Sequence, residues 1–365
     1  MTRGVIGPGD TEDRVAERIE AMRRRPQRFR DERITMAHGA GGKSSRALVE
    51  GLVVPMLANP ALDALSDAGL LTVGTARLAL TTDAFVVRPI RFPGGSIGEL
   101  AVNGTVNDLA VSGARPVALS VALVLEEGLP AGVLEAEVAA IAAAARAAEV
   151  PVVTGDTKVV ERGKCDAMYI ITTGIGVLAE GVALSPVRVR PGDKILVSGT
   201  VGDHGIAILL ARGDLDLEAD VRSDTQPLWS LASALLDACG NGLHCMRDAT
   251  RGGVATVLNE IALAAEVGVV LEEGRVPVRP EVVGAGEILG IDPLYVANEG
   301  KLVAFVAPEH ADAALAAARA QPAGRDAAIV GEVHGEPPGR VLGRTAFGGH
   351  RLIDMLVGDP LPRIC

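Results

Sequence analysis

Only eight of the 365 residues are aromatic (one Trp, two Tyr, five Phe), yet 48% of the chain is apolar. Its cores must therefore be built from Ala, Val, Leu and Ile, which suit short buried strands packed on alanine-rich helices. A chain of this length leads to an expectation of two domains. With 22% charged residues and a mean hydropathy of +0.30 it is not a chain disordered throughout. The net charge of -11 is a poor match to phosphate backbones, and the shortage of rings removes a base-stacking surface. Nucleic acid is therefore not an expected partner. No apolar run reaches the length of a membrane helix, and no apolar segment follows a basic start. Cys165, Cys239, Cys245 and Cys365 form no C-x-x-C pair, so a reduced, cytoplasmic protein is expected. His244-Cys245 near Cys239 falls short of the four ligands zinc takes, and buried thiols are the simpler reading.

Four segments follow from composition and pattern. Residues 1–33 are a charged arm, with seven acids and eight arginines interleaved between Asp10 and Arg33. Residues 34–180 alternate β-rich runs with helical ones: strands at 76–87, 116–125 and 168–178, a helix at 134–150, and an amphipathic helix at 96–114 interrupted by Gly104. VPVVTGDTKVV (150–160) reads as strand, turn and acid-rich loop. A second α/β unit, 181–349, opens at the turn Arg190-Pro191-Gly192-Asp193, with strands expected at 294–306 and 328–333. Residues 350–365 form a tail in which Pro360 and Pro362 bar a regular helix. The fold class is α/β (α+β): two domains of mixed sheets with flanking helices, and a flexible C-terminal tail carrying Cys365.

Acids where strands meet loops can converge on one hard cation, and Asp83, Asp108 and Asp156 each lie among threonines, asparagines and small residues. HGAGGKSS (38–45) precedes a helical pattern. Its glycines could turn backbone N–H groups toward an anion, or it could be a flexible loop with a helix cap; Ala37 denies it a Walker pattern. DATRGG (248–253) precedes another helix, where Asp248 reads first as a cap and Arg251 as a phosphate partner. Glu299 and Lys301 in ANEGK read first as an ordinary ion pair. A terminal cysteine is usually incidental, but Cys365 ends a tail that can travel and so could carry a substrate covalently.

Taken together, HGAGGK (38–43), TTDAFVV (81–87), FPGGSIGELAVNGTVNDLAVSGARP (92–116), GDTKVV (155–160), DATRGGV (248–254), NEGK (298–301) and the final PRIC resemble the HypE family of hydrogenase maturation factors. That family lies within the aminoimidazole ribonucleotide synthetase-like (PurM-like) superfamily. The resemblance implies a two-domain PurM-like fold, homodimers paired through their first sheets, and a HypF-type carbamoyltransferase that loads the terminal cysteine. It further implies ATP-dependent dehydration of the S-carboxamide to a thiocyanate, and transfer of the cyano group to iron held by a HypC–HypD complex. On it, Asp83, Asp108 and Asp156 hold Mg²⁺, and Lys158 stabilises charge. Glu299 is the base and Cys365 the carrier. His38, Gly39, Gly41, Gly42, Lys43 and Asn107 enclose ATP, while Asp248, Arg251, Gly252 and Gly253 offer a further anion site. Ser96 departs from the acid that many relatives carry after FPGG. The alternatives are a selenophosphate synthetase or thiamine-monophosphate kinase of the same superfamily, or a non-catalytic ATP-binding scaffold. The stretch His38–Ser45 holds no cysteine for the first.

Overall fold

The computed structural model describes residues 29–62, 65–213, 219–358, 361 and 363–365. Most of the expected arm, residues 1–28, lies outside the described residues. So do Pro360 and Pro362. Residues from Phe29 onward are tied to the body, with the ring of Phe29 edge-on to His38.

The first sheet is built from β1 (Gly69–Val73), β2 (Ala76–Phe85), β5 (Ala114–Glu126), β6 (Val152–Val160) and β7 (Met168–Leu178), in the order β1-β2-β7-β5-β6. Between β2 and β5 lie a two-stranded ribbon, β3 (Arg91–Phe92) with β4 (Gly95–Ser96), and the helix Ile97–Val111. Alternation along β2 sends Thr81, Asp83 and Phe85 toward that helix, and Leu80, Thr82 and Ala84 to the open face. GDTKVV was expected to turn into a loop. It instead continues β6 as an exposed edge strand, paired in parallel with β5 alone. Nothing in a run of small and branched residues stops a strand that has a partner to one side.

The expected amphipathic, interrupted helix is continuous and buried on nearly every face. Tertiary packing removes the need for an amphipathic stripe, because the helix has the first sheet on one side and the second domain on the other. Gly104 is a contact point there, not a break: a Cβ on it would lie 2.8 Å from Cζ of Phe85. Leu100, Val106 and Leu109 are wholly buried, each contributing about 1.5–3 kcal/mol of hydrophobic stabilisation.

The second sheet comprises β8 (Lys194–Val197), β9 (Leu243–Asp248), β10 (Gly268–Glu272), β11 (Leu302–Val306), β12 (Ala328–His334), β13 (Arg340–Arg344) and β14 (His350–Ile353), in the order β14-β13-β10-β12-β8-β11-β9. The strand expected over 294–306 is confined to β11. Residues 296–301, including NEGK, form a loop whose backbone is taken up by Asp224 and Ala249. The stretch expected to begin the tail, 350–353, is a strand of this sheet, so the tail proper starts at Asp354. Met355, Leu361 and Ile364 along it are buried.

Candidate active site

Strand pleat and helix periodicity build the centre. Asp83 faces helix 97–111, and Asp108 sits one turn beyond Gly104 on the same helix face, so the missing Cβ that admits Phe85 also lets the two acids meet. The Thr81 hydroxyl donates to Oδ2 of Asp108 at 2.7 Å. From the second domain comes Asp248, the last residue of β9, and from the approach to β1 comes Asp67. Asp67, Asp108 and Asp248 each offer one ligand atom, and these atoms lie within 4.8 Å of one another. Arg247 holds Asp67 from behind at 3.1 Å and Glu260 at 3.0 Å.

So many acids in one buried place cannot all stay ionised without a cation. Burial, then the neighbouring charge of Asp67, pushes Asp248 up to about 8. Asp108 is driven well above the carboxylate range by burial, and then by Asp83, Asp248 and Asp67. Asp83 is raised by burial against the opposing charge of Arg251 and the hydrogen bond from Asp108. Asp67 is also raised, burial again outweighing Arg247. An all-oxygen, net-negative donor set of this kind fits Mg²⁺, whose charge would offset the repulsion.

Beside it stands Glu299. Its side chain is buried and its Oε1 has no hydrogen-bond partner. Burial first, then Asp248, Asp224 and Asp83, raises its pKa well above the usual value. The Glu299 backbone N–H donates to Asp224 at 3.0 Å, and Lys301 Nζ donates to the same carboxylate at 2.9 Å. Burial alone would raise Asp224, but Lys301, with the hydrogen bond from the Glu299 N–H, holds it below its usual range. The expected Glu299–Lys301 ion pair is therefore absent: Lys301 is spent on Asp224, and Glu299 faces the acids. Arg251 keeps its charge more firmly than a free arginine, mainly because Cys365 lies beside it, with Asp83, Glu299 and Asp108 adding to the effect. The end of the chain thus already reaches the centre, where a terminal carboxylate oxygen of Cys365 accepts the Val86 N–H at 3.1 Å.

Asp83, Asp108, Asp248, Arg251, Glu299 and Cys365 converge; other expected site residues do not. Asp83 pairs with Thr172, Thr172 with Val121, and Val121 with Gly155, so Asp156 is three strands away, about 14 Å, and points to the opposite face. There it is fully exposed and bonded to Lys158, which lowers its pKa. Within one chain the acid trio is Asp67, Asp108 and Asp248, with Asp83 alongside. Asp248 caps nothing, since Gly252 occupies the cap of helix Gly253–Ala265 in a left-handed conformation. The glycine loop cradles protein: the N–H groups of Lys43 and Ser44 donate to Leu356 and Val357 of the tail, and Lys43 Nζ pairs with Asp354 at 2.8 Å. A Cβ on Gly42 would sit 2.5 Å from the Leu356 oxygen. Gly39 accepts from Arg251, and Gly41 packs against the same residue. His38 is a cap, bonded to Thr35 and Asp31. The Asn107 amide is taken up by the backbone of Gln226, Leu228 and Glu299, fastening helix 97–111 to the second domain.

Cys239 and Cys245 are free and buried, and burial raises both thiols, to about 11 and about 12. His244 is bonded to Asp193. Among the described residues the acid trio is the one group with metal-ligand proximity. Asp67 was missed in the sequence because a lone acid in a loop carries no motif. A cavity of about 460 Å³ lined by Gly41, Gly42, Ser45, Arg247 and Glu260 lies behind the trio, while a larger apolar cleft of about 1110 Å³ runs along β6, away from the acids.

Residues 65–178 match the family AIR synthase related protein, N-terminal domain, and residues 190–343 match its C-terminal domain. Fold and site thus define a two-domain, PurM-like protein with an acid-lined centre between its halves. The carbamoyl dehydratase HypE of Rhodobacter capsulatus is 53% identical over 92% of this chain and 99% of its own. Two solved structures are similar over nearly their whole length. One is a hydrogenase maturation protein HypE in complex with ATP (48% identity, TM-score 0.76, 91% of this chain and 100% of that one). The other is a HypE–HypF complex (42% identity, TM-score 0.81, 85% of this chain and 100% of that one). The chain belongs to the HypE family of carbamoyl dehydratases, enzymes of hydrogenase maturation. That membership sets aside the selenophosphate synthetase and thiamine-monophosphate kinase alternatives. No helix among the described residues is long and apolar enough to cross a membrane.

Proposed function

We propose that Cys365 carries a carbamoyl group on its sulfur and that the centre around Asp83 and Glu299 dehydrates it to a thiocyanate at the expense of ATP. An amide oxygen is a poor leaving group until it is phosphorylated. The carbamoyl oxygen takes the γ-phosphoryl group and departs as phosphate, the two N–H protons are removed, and the C≡N bond remains on sulfur. Asp67, Asp108 and Asp248 would hold Mg²⁺, with Asp83 beside them; the metal supplies charge neutralisation at the phosphates. Arg251 holds positive charge where the transferred group gathers negative charge. Glu299 takes a nitrogen proton. The repulsion that Asp248 and Asp83 add to burial at Glu299 would be offset by the metal's charge, favouring the carboxylate form that a base needs. The observation that carries this reading is the convergence on one acid cluster of the chain terminus and of a buried Glu299 whose Oε1 has no hydrogen-bond partner.

Two copies pair through the open face of the first sheet. Leu71, Val73, Leu80, Ile175 and Val177 leave 39–61% of their surface exposed there, more apolar surface than a lone sheet face usually shows to water. Asp156 and Lys158 look out on that same face and cannot reach their own centre, so they serve the partner's. A HypF-type carbamoyltransferase loads Cys365, and a HypC–HypD complex takes the cyano group, both in the cytoplasm. The tail leaves the centre to be loaded and returns when ATP is bound.

Intact-protein mass spectrometry tests the reaction. Purified protein incubated with the carbamoyltransferase, carbamoyl phosphate and Mg-ATP gains a carbamoyl group and then loses one water, both on the C-terminal peptide. ATP binding with no such loss would leave a scaffold.

A further inference from the structure

The VGDHG stretch (201–205), at the start of the helix Asp203–Ala211, has no role in the chemistry above, yet it meets the chain terminus. His204 is wholly buried, and its Nε2 stands 2.6 Å from the carbonyl oxygen of Ile364. Burial disfavours its charged form, so the ring is neutral. Facing a carbonyl, Nε2 must then carry the hydrogen, which leaves Nδ1 to accept from the Ser223 hydroxyl at 2.8 Å. Carbonyls on either side are held in the same way. The oxygen of Arg363 accepts from Arg212 Nη2 at 2.9 Å and from the Arg88 N–H at 3.2 Å, and Cys365 accepts from Val86. The terminal tripeptide thus lies along residues 86–88 like an added strand, with Ile364 2% exposed in an apolar core to which both domains contribute.

We infer that His204 is a positioning residue: with Arg212 it reads the main chain at 363 and 364, and with the Ile364 pocket it fixes the register at which the Cys365 sulfur is delivered. None of these bonds uses the sulfur. The grip is therefore the same for a thiol, a carbamoylated or a cyanylated terminus, as a carrier that must change its cargo while docked requires. A slip of one residue would turn Ile364 out of its pocket and move the sulfur by about 3.3 Å, beyond the tolerance of a reacting group.

The inference rests on Cys365 being the carrier, and the test separates the two. Full-length carbamoylated protein is compared as wild type, His204→Leu, His204→Gln and Ile364→Ser. At saturating Mg-ATP, His204→Leu should lose water about tenfold more slowly, with KM for ATP unchanged. In the uncarbamoylated protein its Cys365 should react with iodoacetamide about tenfold faster, the population change one buried hydrogen bond supports. Glutamine, whose amide can donate in place of Nε2, should restore most of the rate. Ile364→Ser, with its folding verified by circular dichroism, should reproduce the leucine result. Wild-type rates in His204→Leu would overturn the inference. So would glutamine failing as badly as leucine while Ile364→Ser behaves as wild type, since His204 would then matter only for folding. A wild-type protein that never loses water would instead refute the carrier role itself.

Discussion

Replacing Asp248 by Asn should stabilise the metal-free protein, and should do so more as pH rises. In the folded chain Asp248 holds its proton up to about pH 8, whereas an unfolded aspartate releases it near 3.8. Between those values the native state binds one more proton than the unfolded one, so stability falls with rising pH by at most about 1.4 kcal/mol per unit. Asn carries no such proton; comparing variant with wild type cancels groups that Asp248 does not touch, while Asp108 and Glu299, which its charge raises, shift the difference in the same direction. From pH 5 to pH 8 the advantage of Asp248→Asn should grow by up to about 4 kcal/mol and then level off. For 365 residues unfolding with about 2 cal/mol/K of entropy each, 1 kcal/mol moves Tm by about 1.3 °C, giving a widening of about 5 °C. The assay is thermal denaturation in EDTA at each pH, repeated with Mg²⁺. The cation should raise wild-type Tm most at high pH and leave the variant nearly unchanged. A gap between the two proteins that does not vary with pH, or a Mg²⁺ effect equal in both, would show that Asp248 is neither the proton holder nor a metal ligand.

Glu299→Gln should accept a carbamoyl group normally but dehydrate it at least about 100-fold more slowly, the usual contribution of a positioned base; a normal rate of water loss would dismiss Glu299 from that role. Lysines at both 175 and 177 should convert a dimer to a monomer in light scattering, and an unshifted mass would place the pairing surface elsewhere. If Lys158 serves the partner's centre, mixing Lys158→Ala with Glu299→Gln should restore activity to about a quarter of wild type, because half of the dimers are mixed and each mixed dimer has one complete site. A mixture no more active than its two components would return Lys158 to its own chain or to the surface.

Asp83, Asp108, Glu299, Arg251 and Cys365 could be picked out in the sequence because each stands in a short stretch whose neighbours announce a turn, a strand end or a terminus. The order of strands and helices was legible for the same reason, since alternation and 3.6-residue periodicity are local properties. What local pattern could not say is which acids meet. Asp156 carries as good a motif as Asp83, but one step along a pleated strand reverses the face, and two strands intervene. Asp67 carries no motif and joins the trio only because the start of β1 lies at the end of β9. Likewise, the glycines of 39–42 announced a close backbone approach without saying to what, and the structure answers with the tail. Composition and short-range spacing thus determined two α/β domains, an acid-rich chemistry and a terminal thiol. The packing of helix 97–111 between two sheets decided which charges share a dehydrated space, since such proximity depends on contacts between residues up to about 180 positions apart, which no short window of sequence contains.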